Sequence, residues 1–191
     1  MERQFPKNVR QIGNVSDEPK IYVEDYVDIY LNQLGTQAAE VPVGIILIGE
    51  ILSLEGQDVV CVSGAMRMKE VRMEGTEIVI EEDVLKALKE ERKQFFPSGE
   101  EIGWCLIENG QPAGQMKEIS RIHNKSFAKD NTVFIWKDAL DKEEVFYSFK
   151  YGELMQMGGH YIYYEKNPSM QNYMIATRKK NGVTPCEMVE D

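Results

Sequence analysis

The stretch Gly103-Trp104-Cys105-Leu106-Ile107-Glu108-Asn109 decides how this chain is read. With Ile102 before it, an apolar run ends on a carboxylate and an amide, the pattern of a central strand whose last residues reach solvent. Asn109-Gly110, Pro112 and Gly114 supply the loop that follows. Upstream, Val41 to Leu54 is rich in Val, Ile and Leu, and Gly56 turns the chain into a second extended run from Asp58 to Val62, so the two predict a long hairpin. Glu77 to Ile80 gives a further short strand. A helix over Glu81 to Phe96 then opens on Glu81-Glu82-Asp83, acids placed where the helix macrodipole favours them, and closes at Pro97 and Gly99.

Downstream, Met116, Ile119, Ile122, His123 and Phe127 fall on one face of a helix predicted for Gln115 to Phe127. Thr132 to Trp136, Glu144 to Lys150 and His160 to Glu165 read as strands, and Gly158-Gly159 breaks the last two apart. Pro168 opens a final helix carrying Met170, Tyr173 and Met174. Nearer the start, Tyr26, Val27, Tyr30, Leu31 and Leu34 recur at helical spacing, with Gly35 as a stop. Residues 1–20 show no apolar period and are expected as a flexible N-terminal arm. Residues 177–191 are expected as a frayed polar and acidic tail, with Arg178-Lys179-Lys180 solvated in it. Mixed strands and helices predict one α/β (α+β layered) domain over residues 21–176, a mixed central sheet flanked by helices.

Composition removes several function classes. A 191-residue chain with 42% hydrophobic and 28% charged residues can bury a sizeable core. No apolar run approaches the roughly 20 residues of a membrane span, so no membrane insertion is expected of this chain. A net charge of -10 opposes contact with nucleic-acid phosphates. Three scattered cysteines, Cys61, Cys105 and Cys186, form no disulfide framework and predict reduced thiols in a soluble protein. Most of the ten methionines are expected to fill core gaps, and any exposed group of them would offer an adaptable contact surface.

Three segments carry a family resemblance. Val43-Gly44-Ile45-Ile46-Leu47-Ile48-Gly49, Glu101-Ile102-Gly103-Trp104 and Val133-Phe134-Ile135-Trp136-Lys137-Asp138 resemble, in that order, core strands of the JAMM/MPN (Mov34/JAB) domain family. The likeness spans roughly Ile21 to Ile175. It implies a cytidine-deaminase-like three-layer fold. The later Gly152-Glu153-Leu154 and Gly159-His160-Tyr161-Ile162-Tyr163-Tyr164-Glu165-Lys166-Asn167 are similar to uncharacterised Firmicutes proteins with an MPN-like domain. That second likeness implies a bacterial, cytoplasmic protein, or one associated with the cell envelope or spore.

The departures from the family matter most. Catalytic members hold Zn2+ with two histidines and an aspartate, leave a water on the open position and use a glutamate as general base. Here the histidine positions fall on Leu106 and Glu108 and the following proline on Asn109. The serine and aspartate positions fall on Met116 and Ile119, with Glu118 and Ser120 offset, and the glutamate position falls on Val41 beside Glu40. The resemblance therefore implies a degenerate member with no metal, no cofactor and no catalytic residue. Glu108, standing where the second histidine would, is the candidate partner contact.

Other chemistries find less support. Only His123 and His160 are present to serve a cysteine hydrolase, and Cys105, its best nucleophile, alternates with Trp104 and Leu106 in the apolar strand. His123 is expected as a hydrogen-bonded packing residue and His160 as half-exposed. No glycine-rich phosphate loop occurs. The acidic blocks are expected as solvated caps. The expectation is a catalytically inactive scaffold that binds protein or forms a homo-oligomer, with an envelope or spore structural role and a hydrolase using Cys105 or a shifted metal site as alternatives.

Overall fold

A computed structural model describes residues 3–36, 42–69, 71–110 and 116–181. The elements run β1 (Val9–Gly13), β2 (Lys20–Glu24), α1 (Asp25–Gly35), β3 (Val43–Leu54), β4 (Gln57–Arg67), β5 (Val71–Glu74), β6 (Glu77–Ile80) and α2 (Glu82–Phe95). They continue as β7 (Glu100–Glu108), α3 (Met116–Ser126), β8 (Val133–Asp138), β9 (Glu143–Lys150), β10 (Glu153–Gln156), β11 (Gly159–Tyr163) and α4 (Pro168–Asn181). Nine strands form one sheet in the order β1-β11-β2-β4-β3-β7-β8-β9-β10, and β5 with β6 forms a separate hairpin. The pairs β11/β2, β2/β4 and β7/β8 are parallel and the others antiparallel. The α+β class and the sheet flanked by helices agree with the sequence reading.

β3 and β7 lie in the interior of the sheet because their apolar runs leave no face for water. Gly103 shows how tightly they are held. A Cβ there would stand 1.9 Å from the carbonyl oxygen of Val133, so only glycine lets β7 and β8 approach. Gly49 does the same beside Cys61, next to register shifts that β3 makes against both neighbours.

Strand alternation then sorts the side chains. The register places Ile45, Cys105, Ile107, Ile135, Lys137, Glu144 and Phe146 on one face and Ile46, Trp104, Leu106, Phe134 and Trp136 on the other. α1 and α4 cover the first face and pack on each other, with the Tyr30 and Tyr173 rings edge to face at 5.8 Å. α3 covers the second face, and α2 reaches α4 through Phe95 against Tyr173. Among the described residues no helix is long and apolar enough to cross a membrane.

The starts of α1 and α4 are joined. Glu24, 2% exposed, accepts a hydrogen bond from the amide of Tyr26 and so caps α1. Asn167 caps α4 by accepting from the amide of Met170 at 3.2 Å, while its amide nitrogen donates to Glu24 and to the Ser63 carbonyl. Burial pushes the Glu24 carboxyl up to about 7, against the hydrogen bonds from Asn167 and Tyr26 that favour its ionised form.

Parts of both expected ends carry secondary structure, and residues 182–191 of the expected tail lie outside the described residues. Val9–Gly13, within the expected arm, is hydrogen-bonded to β11 in the register Val9 to Tyr163. As an edge strand with nearly every side chain exposed, it needs no apolar alternation and gave no period to detect. α4 runs on to Asn181, so Arg178-Lys179-Lys180 belongs to a helix backbone. Thr177 is buried there, and its hydroxyl donates to the Tyr173 carbonyl at 2.8 Å. Met66, Met68, Met157, Met170 and Met174 are buried as expected, and Met155 is exposed.

Two outcomes follow from the joined caps. Asn167→Ala removes one cap and two ties, and urea denaturation should show a loss of about 2 kcal/mol. Because the folded pKa of Glu24 lies above its unfolded value of 4.5, its contribution is lost as pH rises from there through about 7. Glu24→Gln should therefore gain stability relative to wild type between about pH 5 and about pH 8; an unchanged difference would contradict the raised pKa.

Candidate functional site

Two of the positions singled out by the family resemblance are core packing. Leu106 on β7 and Ile119 on α3 are both completely buried in the main core. Met116 is half-buried at the start of α3 and packs on the same core. Glu108 is half-buried at the end of β7, where its carbonyl accepts from the amide of Ala139 at 2.7 Å, and Asn109 is exposed. Val41 and Glu40 lie outside the described residues, as does Cys186. Among the described residues no three His, Cys, Asp or Glu side chains gather as metal ligands would.

One histidine nevertheless organises this face. The Trp104 indole N–H donates to Nδ1 of His123 at 3.1 Å, and Nε2 of His123 lies 2.8 Å from the Thr132 hydroxyl. Indole nitrogen is a donor only, so Nδ1 must accept and Nε2 must carry the proton. Thr132 passes the chain on, donating to the Phe127 carbonyl at 2.8 Å. The ring stands between Phe127 and Phe149, and burial lowers its pKa to about 4. His123 is thus the hydrogen-bonded packing residue that its helical spacing predicts.

The polar side chains converge on the opposite face, under α1. Nζ of Lys137 donates to Asn32 at 2.9 Å and to Glu144 at 2.8 Å, and Asn32 in turn donates to Asp28 at 3.4 Å. Nε2 of His160 lies 3.6 Å from the other oxygen of Glu144, and its ring stacks on Phe146 at 4.0 Å. These groups, with Arg10, line a pocket of about 530 Å³. Burial raises the Asp28 carboxyl, opposed by Lys137, and lowers the His160 imidazole, opposed by Glu144. The arrangement can hold a small polar ligand by hydrogen bonds and charge.

His160 is therefore buried, 3% exposed, where half-exposure was expected. β1 pairs Ile12 beside it, and Phe146 covers the ring. Asp28, Asn32, Lys137 and Glu144 were passed over in the sequence. The signal was present in Lys137, a cation closing the buried run Val133–Trp136, because a buried charge demands a partner.

Asp138 follows it and organises two loops. One carboxylate oxygen accepts from the amides of Gly110, Leu140 and Asp141, which hold the group below the usual carboxylate range. Neither described cysteine is a ready nucleophile. Cys105 is completely buried and its thiol is pushed up to about 12 by burial. Burial raises Cys61 as well, although Arg3 donates to its sulfur at 3.7 Å. The reacting form of either thiol is suppressed at neutral pH.

The locked histidine has a pH consequence. Between about pH 6.5 and about pH 4 the unfolded chain protonates His123 and the folded chain does not, so its contribution falls with pH. The stability advantage of wild type over His123→Gln should shrink by about 3 kcal/mol across that window, measured by urea denaturation. Lys137→Met, which strips the half-buried Glu144 carboxylate of its cation, should cost about 1 to 2 kcal/mol, whereas the double change Lys137→Met with Glu144→Leu should cost less.

Comparison with known proteins adds fold and no chemistry. No protein-family description matches the sequence, and no curated protein does. Among solved structures the chain is similar to the solution structure of protein DSY2949 from Desulfitobacterium hafniense, with a TM-score of 0.52 at 8% identity over 76% of this chain and 93% of that one. At so low an identity the likeness is one of fold alone.

Proposed function

We propose that this chain is a metal-free MPN-like domain that works by holding a protein partner, or a second copy of itself, and not by hydrolysis. The observation that carries this reading is what fills the positions of the family's metal site. Leu106 and Ile119 are fully buried among apolar neighbours, and the Trp104–His123–Thr132 chain pins the same strand and helix together. Inserting a zinc ligand set there would place polar groups in a packed interior. The element order, hairpin β3–β4, helix α2, strand β7, helix α3 and strand β8, is also the order that the resemblance implies.

An available surface for a partner is the free edge of β10, the last strand of the sheet. It carries exposed Met155, and the turn before it presents Tyr151 at 91% exposure. An extended segment can add to such an edge through main-chain hydrogen bonds, with side chains giving selectivity. Two copies can also meet edge to edge in a twofold pair.

Sedimentation velocity across micromolar concentrations is expected to show self-association, or a stoichiometric complex once a partner is supplied, and Met155→Lys on the free edge should weaken it. Zinc calorimetry should give no submicromolar one-to-one binding. A strict monomer that accepts no strand at β10, or a tight stoichiometric zinc site, would overturn the proposal.

A further inference from the structure

On the face opposite the polar cluster, α2, α3 and the β5–β6 hairpin enclose a cleft of about 610 Å³. Its floor is apolar. Half-buried Ile80 from the hairpin and Leu85 and Ile122 from the two helices form its accessible apolar wall, over Ile46, Trp104 and Ile78, which are 2% exposed or less. The volume falls within the range of roughly 300 to 1,000 Å³ that small-molecule sites occupy.

The rim gives the cleft its chemistry. Lys89 and Arg92 on α2, Arg121 and Lys125 on α3, and Lys129 just beyond it all line the opening, against the acids Glu100 and Glu101. Three of these cations are engaged. Arg92 donates to the Gly99 carbonyl at 2.6 Å and lies 3.9 Å from Glu101, Arg121 is paired with Glu118, and Lys129 lies 4.0 Å from Glu100. Lys89 and Lys125 are exposed, and neither makes an ion pair among the described residues. A chain of net charge -10 thus gathers cations around its apolar opening. That complementarity selects against a neutral or cationic guest.

We propose that this cleft binds a small amphiphilic carboxylate, its aliphatic body on Ile80, Leu85 and Ile122 and its head between Lys89 and Lys125. A free small molecule is preferred to a peptide because the enclosed volume suits a single acyl chain. This site is separate from the β10 edge and does not depend on protein binding there.

Laurate, kept below its micelle concentration, is the probe, followed by calorimetry. The expected result is one laurate per chain, with the ammonium of the same chain length and acetate each at least about tenfold weaker. Lys89→Glu with Lys125→Glu, or the serine pair where reversed charges disturb the circular dichroism, should also weaken laurate by about tenfold or more. Absence of saturable binding, several laurates per chain, equal affinity for the ammonium, or an unaffected charge variant would overturn the proposal. An acidic leucine-rich peptide that displaces laurate and binds more tightly than it would also overturn it, and would make the cleft a protein-docking groove.

Discussion

Left unpaired, a buried indole N–H costs free energy, and Trp104 finds its acceptor in His123. This bond fixes the tautomer of His123, which directs its other nitrogen to Thr132, which in turn reaches the carbonyl of Phe127. One unsatisfied donor in the sheet is therefore resolved by a chain that ties β7 to α3 and to the start of β8. The neutral imidazole is essential to it, because a protonated ring would set two donors against each other at the indole.

That chain determines what the second face of the sheet can host. With Trp104 and His123 closing the centre and Leu106 and Ile119 filling the rest, β7 and α3 are held as packed core. The space left open lies toward α2 and the β5–β6 hairpin, where Ile78 and Ile80 face the sheet across a gap. On the same face Trp104 packs against Phe134 at 4.7 Å and Phe134 against Tyr147 at 5.9 Å.

Long apolar runs made most of the central elements legible in the sequence. β3, β4, β7, β8 and the helices α1 to α3 carry periods that burial imposes on their own residues. Elements stabilised by neighbours gave weaker signals. β1 takes its hydrogen bonds from β11 and exposes its side chains, β10 borrows its register from β9, and α4 is fastened by Asn167 and Tyr173, which are far from the chain that they secure. The polar cluster under α1 was hidden for a related reason. Lys137 and Glu144 are close in sequence, but Asp28 and Asn32 reach them from α1 and His160 from β11, a strand far from β9 in the sheet order. His160 looked half-exposed beside two glycines, and its burial depends on Phe146 from another strand.

The two faces of the sheet consequently divide polar from apolar recognition. Under α1, Lys137 spends its charge on Glu144 and Asn32, and a buried pair of this kind adds specificity more readily than stability, since the desolvation of both groups offsets much of their attraction. At the α2–α3 cleft the charges stand outside, on flexible side chains over an apolar floor, where they act at longer range and are screened by salt. A polar guest in the first pocket must therefore replace hydrogen bonds that already exist, while an apolar guest in the second displaces only water from Ile80, Leu85 and Ile122. Since only net gain drives association, the cleft is the site at which burial alone already favours occupancy.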